Sequence, residues 1–278
     1  MGQQGARRAC TLVSRGLSVV LLALGLSNAA RAEEIRVTGT GAALESLRLL
    51  GQEWSKSRTG DKVTVLGSLG SGGGIKAVVA GTVDLAVSSR PLKEAEAARG
   101  ASQIEYARTP FVFAVHRGSK VDSITTRGLA DMYAGKVSRW PDGTRIRLVL
   151  RPAGDTDSEA IREIAPEVRA AYVVAQQRKG MIFAGSDQEA ADGLEKIPGA
   201  FGSSTLALIL SEKRTLKALR FNNVEPSVRN LESGNYPLHK TLYLITGPRS
   251  SAAARQFVAF VQSPRGREIL LRTGHAVK

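Results

Sequence analysis

A chain of 278 residues with 42% hydrophobic content can bury more than one small core, and its single cysteine, Cys10, precedes an apolar run, which excludes a disulfide once that run is removed. The formal charge of +14 would suit nucleic acid, an anionic membrane face or a small anion, but aromatics at 5% and scattered lysines and arginines argue against nucleic acid. His116, His239 and His275 lie far apart in sequence and no cysteine cluster accompanies them, so neither a metal site nor a cofactor is expected.

In chain order, Arg7, Arg8 and Arg15 precede the apolar stretch Gly16–Leu26, and Ala30-Arg31-Ala32 offers the small residues a signal peptidase requires. An export signal over residues 1–32, cleaved after Ala32, leaves 278 − 32 = 246 residues carrying 14 − 4 = +10, since the signal holds four arginines and no acids. A periplasmic location follows as the expectation, and no other apolar run is long enough to span a membrane. Ile35–Gly39 predicts a strand, and Ala42 to about Lys56 a helix with Leu44, Leu47, Leu50 and Trp54 on one face, stopped at Gly60. Strand, glycine-rich turn and helix repeat from Val63 to Gly81, and Leu85–Val87 makes a third, buried strand. Phe111–Val115 is another. Beyond it come a short helix over Leu129–Tyr133, a strand over Ile146–Leu150, two helical pieces from Ser158 to Arg178 broken at Pro166, and a turn over Pro198–Ser203. Thr241–Ile245 reads as a strand, and Ala252–Leu271 as two helices parted at Ser263-Pro264. Repeated strand–turn–helix units predict an α/β fold with mostly parallel sheets flanked by helices. The expected organisation is two lobes, residues 33–115 with 240–278 and residues 116–239, joined by a two-strand hinge around a cleft.

The chemistry is concentrated in Val63-Thr-Val-Leu-Gly-Ser-Leu-Gly-Ser-Gly-Gly-Gly-Ile-Lys76, where a β-branched run passes through glycines into a helix. Such a turn suits an anion: glycines admit close approach, the first helical N–H groups have no internal partner, and the helix dipole favours negative charge. Ser71 adds a hydroxyl. Asp84-Leu-Ala-Val-Ser-Ser-Arg-Pro91 brings two more hydroxyls and a guanidinium to the carboxyl end of a strand, where ligands sit in open α/β sheets. A nucleotide P-loop is excluded because Lys76 is followed by Ala77 rather than Ser or Thr. Gly72-Gly73-Gly74-Ile75-Lys76-Ala77 fits the dinucleotide fingerprint formally, but the acids that follow, Glu94 and Glu96, lie in a helical stretch instead of ending a second strand. A purely structural strand-to-helix turn is the remaining alternative.

Several blocks together resemble the phosphate-binding, substrate-binding proteins of bacterial ABC importers, which have a type-II periplasmic binding fold. They are Gly70–Lys76 with Gly81–Pro91, Leu129-Ala-Asp-Met-Tyr-Ala-Gly-Lys-Val-Ser-Arg-Trp140, Gly199-Ala-Phe-Gly-Ser-Ser204, Gly234-Asn-Tyr-Pro-Leu238 and Phe257–Pro264, and their order spans nearly the whole mature chain. The resemblance implies a monomeric receptor that encloses phosphate or a similar oxyanion and delivers it to a membrane permease without chemistry. It implies ligand contacts from the turn at Ala43 and Leu44, from Ser71, Gly72, Gly73, Ser89 and Arg90 in the first lobe, and from Arg151, Asp155, Thr156, Asp157 and Ser158 in the second. Ala43 and Ser89 stand where the best-known members carry a hydroxyl and an aspartate, so the Ala43 turn keeps only backbone contacts and Arg90 could supply charge.

The Asp155-Thr156-Asp157-Ser158 segment departs further, replacing the family's Ser-Gly-Thr. Either acid could accept the proton that phosphate still carries near neutral pH, which would disfavour sulfate. Alternatively, Thr156-x-x-Glu159 is a helix capping box and the acids only favour the helix's positive end. Trp54 and Trp140 are expected in the core, Tyr236 in a turn, and Arg139, Arg145 and Arg147 in solvent. Two rival functions are a secreted scaffold or sensor of the same fold with altered specificity, and a phosphoester hydrolase. The hydrolase would lack a nucleophile–base pair, since no histidine neighbours Ser71 or Ser89 in sequence.

Overall fold

The computed structural model describes residues 33–58 and 61–277. The expected export signal with Cys10, and Gly60 as a helix stop, lie outside the described residues. The chain begins β1 (Glu34–Gly39), α1 (Gly41–Ser57), β2 (Lys62–Val65), α2 (Gly70–Val79), β3 (Leu85–Ser88), α3 (Glu94–Ala97) and β4 (Ser102–His116). It continues β5 (Ser123–Ile124), α4 (Thr126–Ala134), β6 (Arg147–Leu150), α5 (Thr156–Glu163), α6 (Pro166–Gln177), β7 (Ile182–Phe183), α7 (Asp187–Lys196), β8 (Ala200–Thr205), α8 (Leu206–Ser211), β9 (Leu216–Ala218), β10 (Arg220–Phe221) and α9 (Val228–Glu232). It ends β11 (His239–Thr246), α10 (Ala252–Val261) and α11 (Pro264–Arg272).

One mixed sheet runs β2-β1-β3-β11-β4-β8-β6-β7, with β9 also on β4. Its ends are parallel, β1 with β2 and β3, and β6 with β7 and β8; the centre is antiparallel because β4 and β11 carry the chain in opposite directions. Strand β4 changes partner along its length, pairing β11 from Ser102 to Pro110 and β8 from Phe111 to Ala114. The return crossing lies beside it, since the Phe111 amide donates to the Leu238 carbonyl at 3.0 Å, and His239 pairs with Pro110.

The core divides at this change of partner. On one side, Ile35, Leu47, Leu50, Trp54, Leu242 and Phe257 pack together; on the other, Phe111, Phe113, Tyr133, Trp140, Tyr172 and Phe201 do. Trp54 meets Phe257 and Phe260 with ring centroids 5.8 and 5.4 Å apart, and Trp140 meets Phe201 at 5.9 Å, so both tryptophans serve packing. Tyr236 is buried as well, and its hydroxyl donates to the Phe111 carbonyl at the crossing. Pro166 and Pro264 open α6 and α11, where a missing N–H costs nothing, and Gly135 at φ 80° ends α4 in the left-handed conformation.

The segment Pro198–Ser203 is not simply a turn. From Ala200 to Thr205 it is a fully buried strand, β8, between β4 and β6. Its glycine and hydroxyl content resembles a loop, but Gly202 is there for close approach: a Cβ would lie 2.7 Å from the Val149 carbonyl oxygen.

Candidate anion-binding site

Three parallel strands of the first half end together, and glycines allow their loops to converge. A Cβ on Gly39 would fall 1.9 Å from the Val87 carbonyl oxygen, and one on Gly74 would fall 2.7 Å from the Gly39 Cα, so α2 starts directly against the end of β1. Ser71, in the first turn of α2 and 5% exposed, thereby reaches the end of β3. Its hydroxyl accepts the Ser89 amide at 2.9 Å and lies 3.1 Å from the Ser89 hydroxyl, which in turn lies 2.9 Å from the Thr156 hydroxyl of α5. Three hydroxyls thus link the halves beside the half-buried Gly72 and Gly73 at the amino end of α2.

From the second half, β6 delivers Arg151, only 2% exposed. Its Nε and Nη2 donate to the two oxygens of Asp155 at 3.2 and 2.7 Å, a bidentate fork, while Nη1 has no partner among the described residues. Burial opposes its charge, but the hydrogen bonds it donates to Asp155 and the fields of Asp187 and Asp157 outweigh burial and hold the guanidinium firmly protonated. Asp155 is likewise penalised by burial and kept ionised by Arg151, which leaves it below the usual carboxylate range. Behind it, the Arg151 carbonyl accepts from Ser158 at 3.0 Å and Gln176 at 2.8 Å, and the Arg151 amide donates to Tyr172.

Asp157 is buried at 1% exposure, ion-paired with Lys240 and accepting from the Ser203 hydroxyl at 2.8 Å. Burial raises its pKa against the pull of Lys240. Lys240 is lowered by burial, but Asp157, Asp187 and Asp155 together carry it above its ordinary value, so it stays charged. Asp187 completes the group, with Oδ1 at 3.8 Å from the Lys240 amine and Oδ2 accepting the Ala42 amide at 3.2 Å and the Thr40 hydroxyl at 3.4 Å.

Of the residues named from sequence, Ser71, Ser89, Arg151, Asp155, Thr156 and Asp157 are brought to one place, with Gly72 and Gly73 alongside. Others are placed differently. The capping box at Thr156 does not form, because Asp155 is the N-cap, accepting the Asp157 amide at 2.9 Å, and Glu159 binds Arg162. The Ser158 hydroxyl points to Arg151 and Tyr172 instead of a ligand, because α6 packs over it. Arg90 is forked onto Glu96 at 2.8 and 2.7 Å; those hydrogen bonds hold the Glu96 carboxyl down to about 2, so this guanidinium is already neutralised beside Gly72. The Ala43 amide turns to the Thr40 carbonyl, and Leu44 belongs to the first-half core. Arg139, Arg145 and Arg147 are exposed.

Lys240, Asp187, Ser203 and Thr40 were missed from sequence. Lys240 left a trace, since it shares the inward parity of Leu242 and Leu244 in β11. Asp187 had none, because an acid after Ser186 and before Glu189 reads as an ordinary helix start. The carboxylates of the site are taken by Arg151, Lys240 and the α1 terminus, and among the described residues no group of His, Cys, Asp and Glu is placed to hold a metal ion.

Two α/β halves sharing a sheet through side-by-side crossings, with donors gathered where they meet, give a fold of the periplasmic-binding type. The profile of the PBP superfamily domain matches residues 26–265, and the chain belongs to that superfamily. The phosphate-binding protein PstS of Borreliella burgdorferi is 24% identical over 229 residues, 80% of this chain and 81% of its own. SphX of Synechococcus elongatus is 29% identical over 286 residues, 94% of this chain and 82% of its own. Among solved structures, an ABC transporter substrate-binding protein of Clostridium perfringens with bound phosphate superposes with a TM-score of 0.74 at 17% identity, covering 88% of this chain and 100% of that one. An ABC-type phosphate transport receptor of Vibrio cholerae gives 0.60 at 18% identity with the same coverage.

Proposed function

We propose that this protein captures inorganic phosphate, or a closely similar oxyanion, between two lobes in the periplasm and presents it to a membrane ABC permease as a monomer, without chemistry. The observation that carries this reading is the Arg151 guanidinium: buried, charged, with Nη1 unpartnered among the described residues, and forked onto Asp155, whose neighbour Thr156 joins Ser89 and through it Ser71 of α2. A buried donor of that kind calls for an acceptor. Ser71, Ser89 and Thr156 can each rotate a hydroxyl donor toward an anion, and the Gly72 and Gly73 amides lie where the helix dipole is positive. Phosphate near neutral pH still bears a proton, which a carboxylate such as Asp155 can accept; sulfate has none to give.

The PstS relative is a phosphate-binding protein by name, and the Clostridium perfringens structure is that of an ABC transporter substrate-binding protein with bound phosphate; both support the ligand and a binding role in place of catalysis. No helix among the described residues is long and apolar enough to cross a membrane. The two crossings at Pro110–Phe111 and Leu238–His239 are the natural hinge between lobes. Calorimetric titration of the exported protein, unfolded and refolded to strip carried-over ligand, tests the reading with phosphate and then sulfate. Phosphate heat with sulfate silent is expected; no heat from phosphate would overturn it.

A further inference from the structure

Helix α1 borders the site, yet its own N-cap residue, Thr40, makes no side-chain capping bond. The cap comes from the other half of the molecule. Asp187, the first residue of α7 and 7% exposed, accepts the Ala42 amide at 3.2 Å and the Thr40 hydroxyl at 3.4 Å. The next residue bonds in the opposite sense, Gln188 Nε2 donating to the Gly41 carbonyl at 3.0 Å. Gly41 is what permits this approach, since a Cβ there would lie 2.2 Å from Gln188 Oε1 and 2.9 Å from the Asp187 carboxylate. The second Asp187 oxygen faces Lys240, whose side chain is 3% exposed on β11, the strand by which the chain re-enters the first half. The Ser89–Thr156 hydroxyl pair adds another contact across the same junction.

We propose that Asp187 is an internal anion that latches the two halves. It occupies the first anion-favouring turn, formed by the Ala42 amide, the Thr40 hydroxyl and the positive end of α1, and leaves a bound oxyanion to the second turn and Arg151. The latch itself requires no ligand; that an oxyanion binds beside it rests on the function proposed above. Opening the halves would uncap α1, detach Asp187 from the Ala42 amide and separate it from a buried lysine. A ligand shifts a conformational equilibrium only by its differential affinity for the two states. A protein already latched by its own carboxylate therefore contracts little when phosphate arrives.

Small-angle scattering of the exported protein, stripped by refolding and measured with and without inorganic phosphate, decides this. Stripped wild type should already have the radius of gyration of a compact chain of its size, about 18 Å, and should not contract on adding phosphate. Asp187→Ala should be larger when stripped and should contract with phosphate. Asp187→Asn, which keeps the shape and an acceptor for Ala42 and leaves Lys240 with Asp157, should fall between the two, and it decides the matter if circular dichroism shows the alanine variant unfolded. The latch is overturned if stripped wild type is as expanded as Asp187→Ala, or if both variants stay as compact as wild type. An expanded Asp187→Ala that ignores phosphate, together with no phosphate heat from wild type, leaves the latch standing and removes the phosphate reading.

Discussion

Replacing Lys240 with methionine tests whether the buried charges at the junction act as one unit. The lysine side chain is 3% exposed, paired with an Asp157 side chain at 2% and set 3.8 Å from an Asp187 side chain at 7%. Methionine keeps the apolar stem but leaves two buried carboxylates without their cation, and breaking a buried pair from one side typically destabilises by about 3–5 kcal/mol. In a domain of this size each kcal/mol lowers Tm by roughly 2–4 °C, so Lys240→Met should melt about 6–20 °C below wild type. The deficit should grow with pH. Burial already raises the Asp157 carboxyl, and without Lys240 it rises further; below that raised pKa the acid is neutral and tolerable, above it the charge is unpaired. Asp157→Asn in the same chain should restore part of the loss, giving a coupling energy well above the few tenths of a kcal/mol expected of independent sites. Urea denaturation of the two single variants and the double variant at pH 5 and pH 8 measures all three quantities. A loss under about 1 kcal/mol, set against the 3–5 expected of a broken buried pair, would refute the unit, as would strictly additive single effects.

Other consequences follow from the same geometry. Arg151→Ala should weaken phosphate binding at least tenfold to a hundredfold in Kd by calorimetry, the equivalent of about 1.5–3 kcal/mol for a charge-assisted hydrogen bond. Asp155→Asn should narrow the phosphate-over-sulfate ratio in the same titration if the carboxylate accepts the phosphate proton; an unchanged ratio would leave it only its roles as N-cap and partner of Arg151. Gly74→Ala should destabilise by about 1–3 kcal/mol in urea, because its Cβ would sit 2.7 Å from the Gly39 backbone, which has no side chain to move aside. His275 is fully buried with its pKa lowered to about 4 by burial, so the native state binds fewer protons than the unfolded chain between that value and 6.5. Its contribution to stability is complete above pH 6.5 and should fall by about 3 kcal/mol as pH drops toward 4, a slope that His275→Gln should flatten in denaturation curves.

Local chemistry alone determined much of this protein. Periodicity, prolines and the β-branched run before Gly70 located α1, α2, α4, α5, α6, α10 and α11 and strands β1, β2, β3, β6, β11 and part of β4, since each depends on neighbours a few residues away; α7, α8, α9 and the short strands were not anticipated. The glycine-rich turn and Ser71 were legible because close backbone approach leaves its mark in sequence, whereas Arg151, just past β6, was singled out only through the resemblance to the phosphate-binding family. Strand β8 was hidden because its burial comes from β4 and β6 on either side, and its glycine and hydroxyls mimic a loop. The fate of each charge was equally invisible. Arg90 turns to Glu96 and Arg151 to Asp155, while Lys240 holds Asp157 across 83 residues and Asp187 caps a helix 145 residues away. Pairings over such distances are chosen by the sheet that stacks their elements together and by the energy of leaving a buried charge alone, and neither exists until the chain has folded.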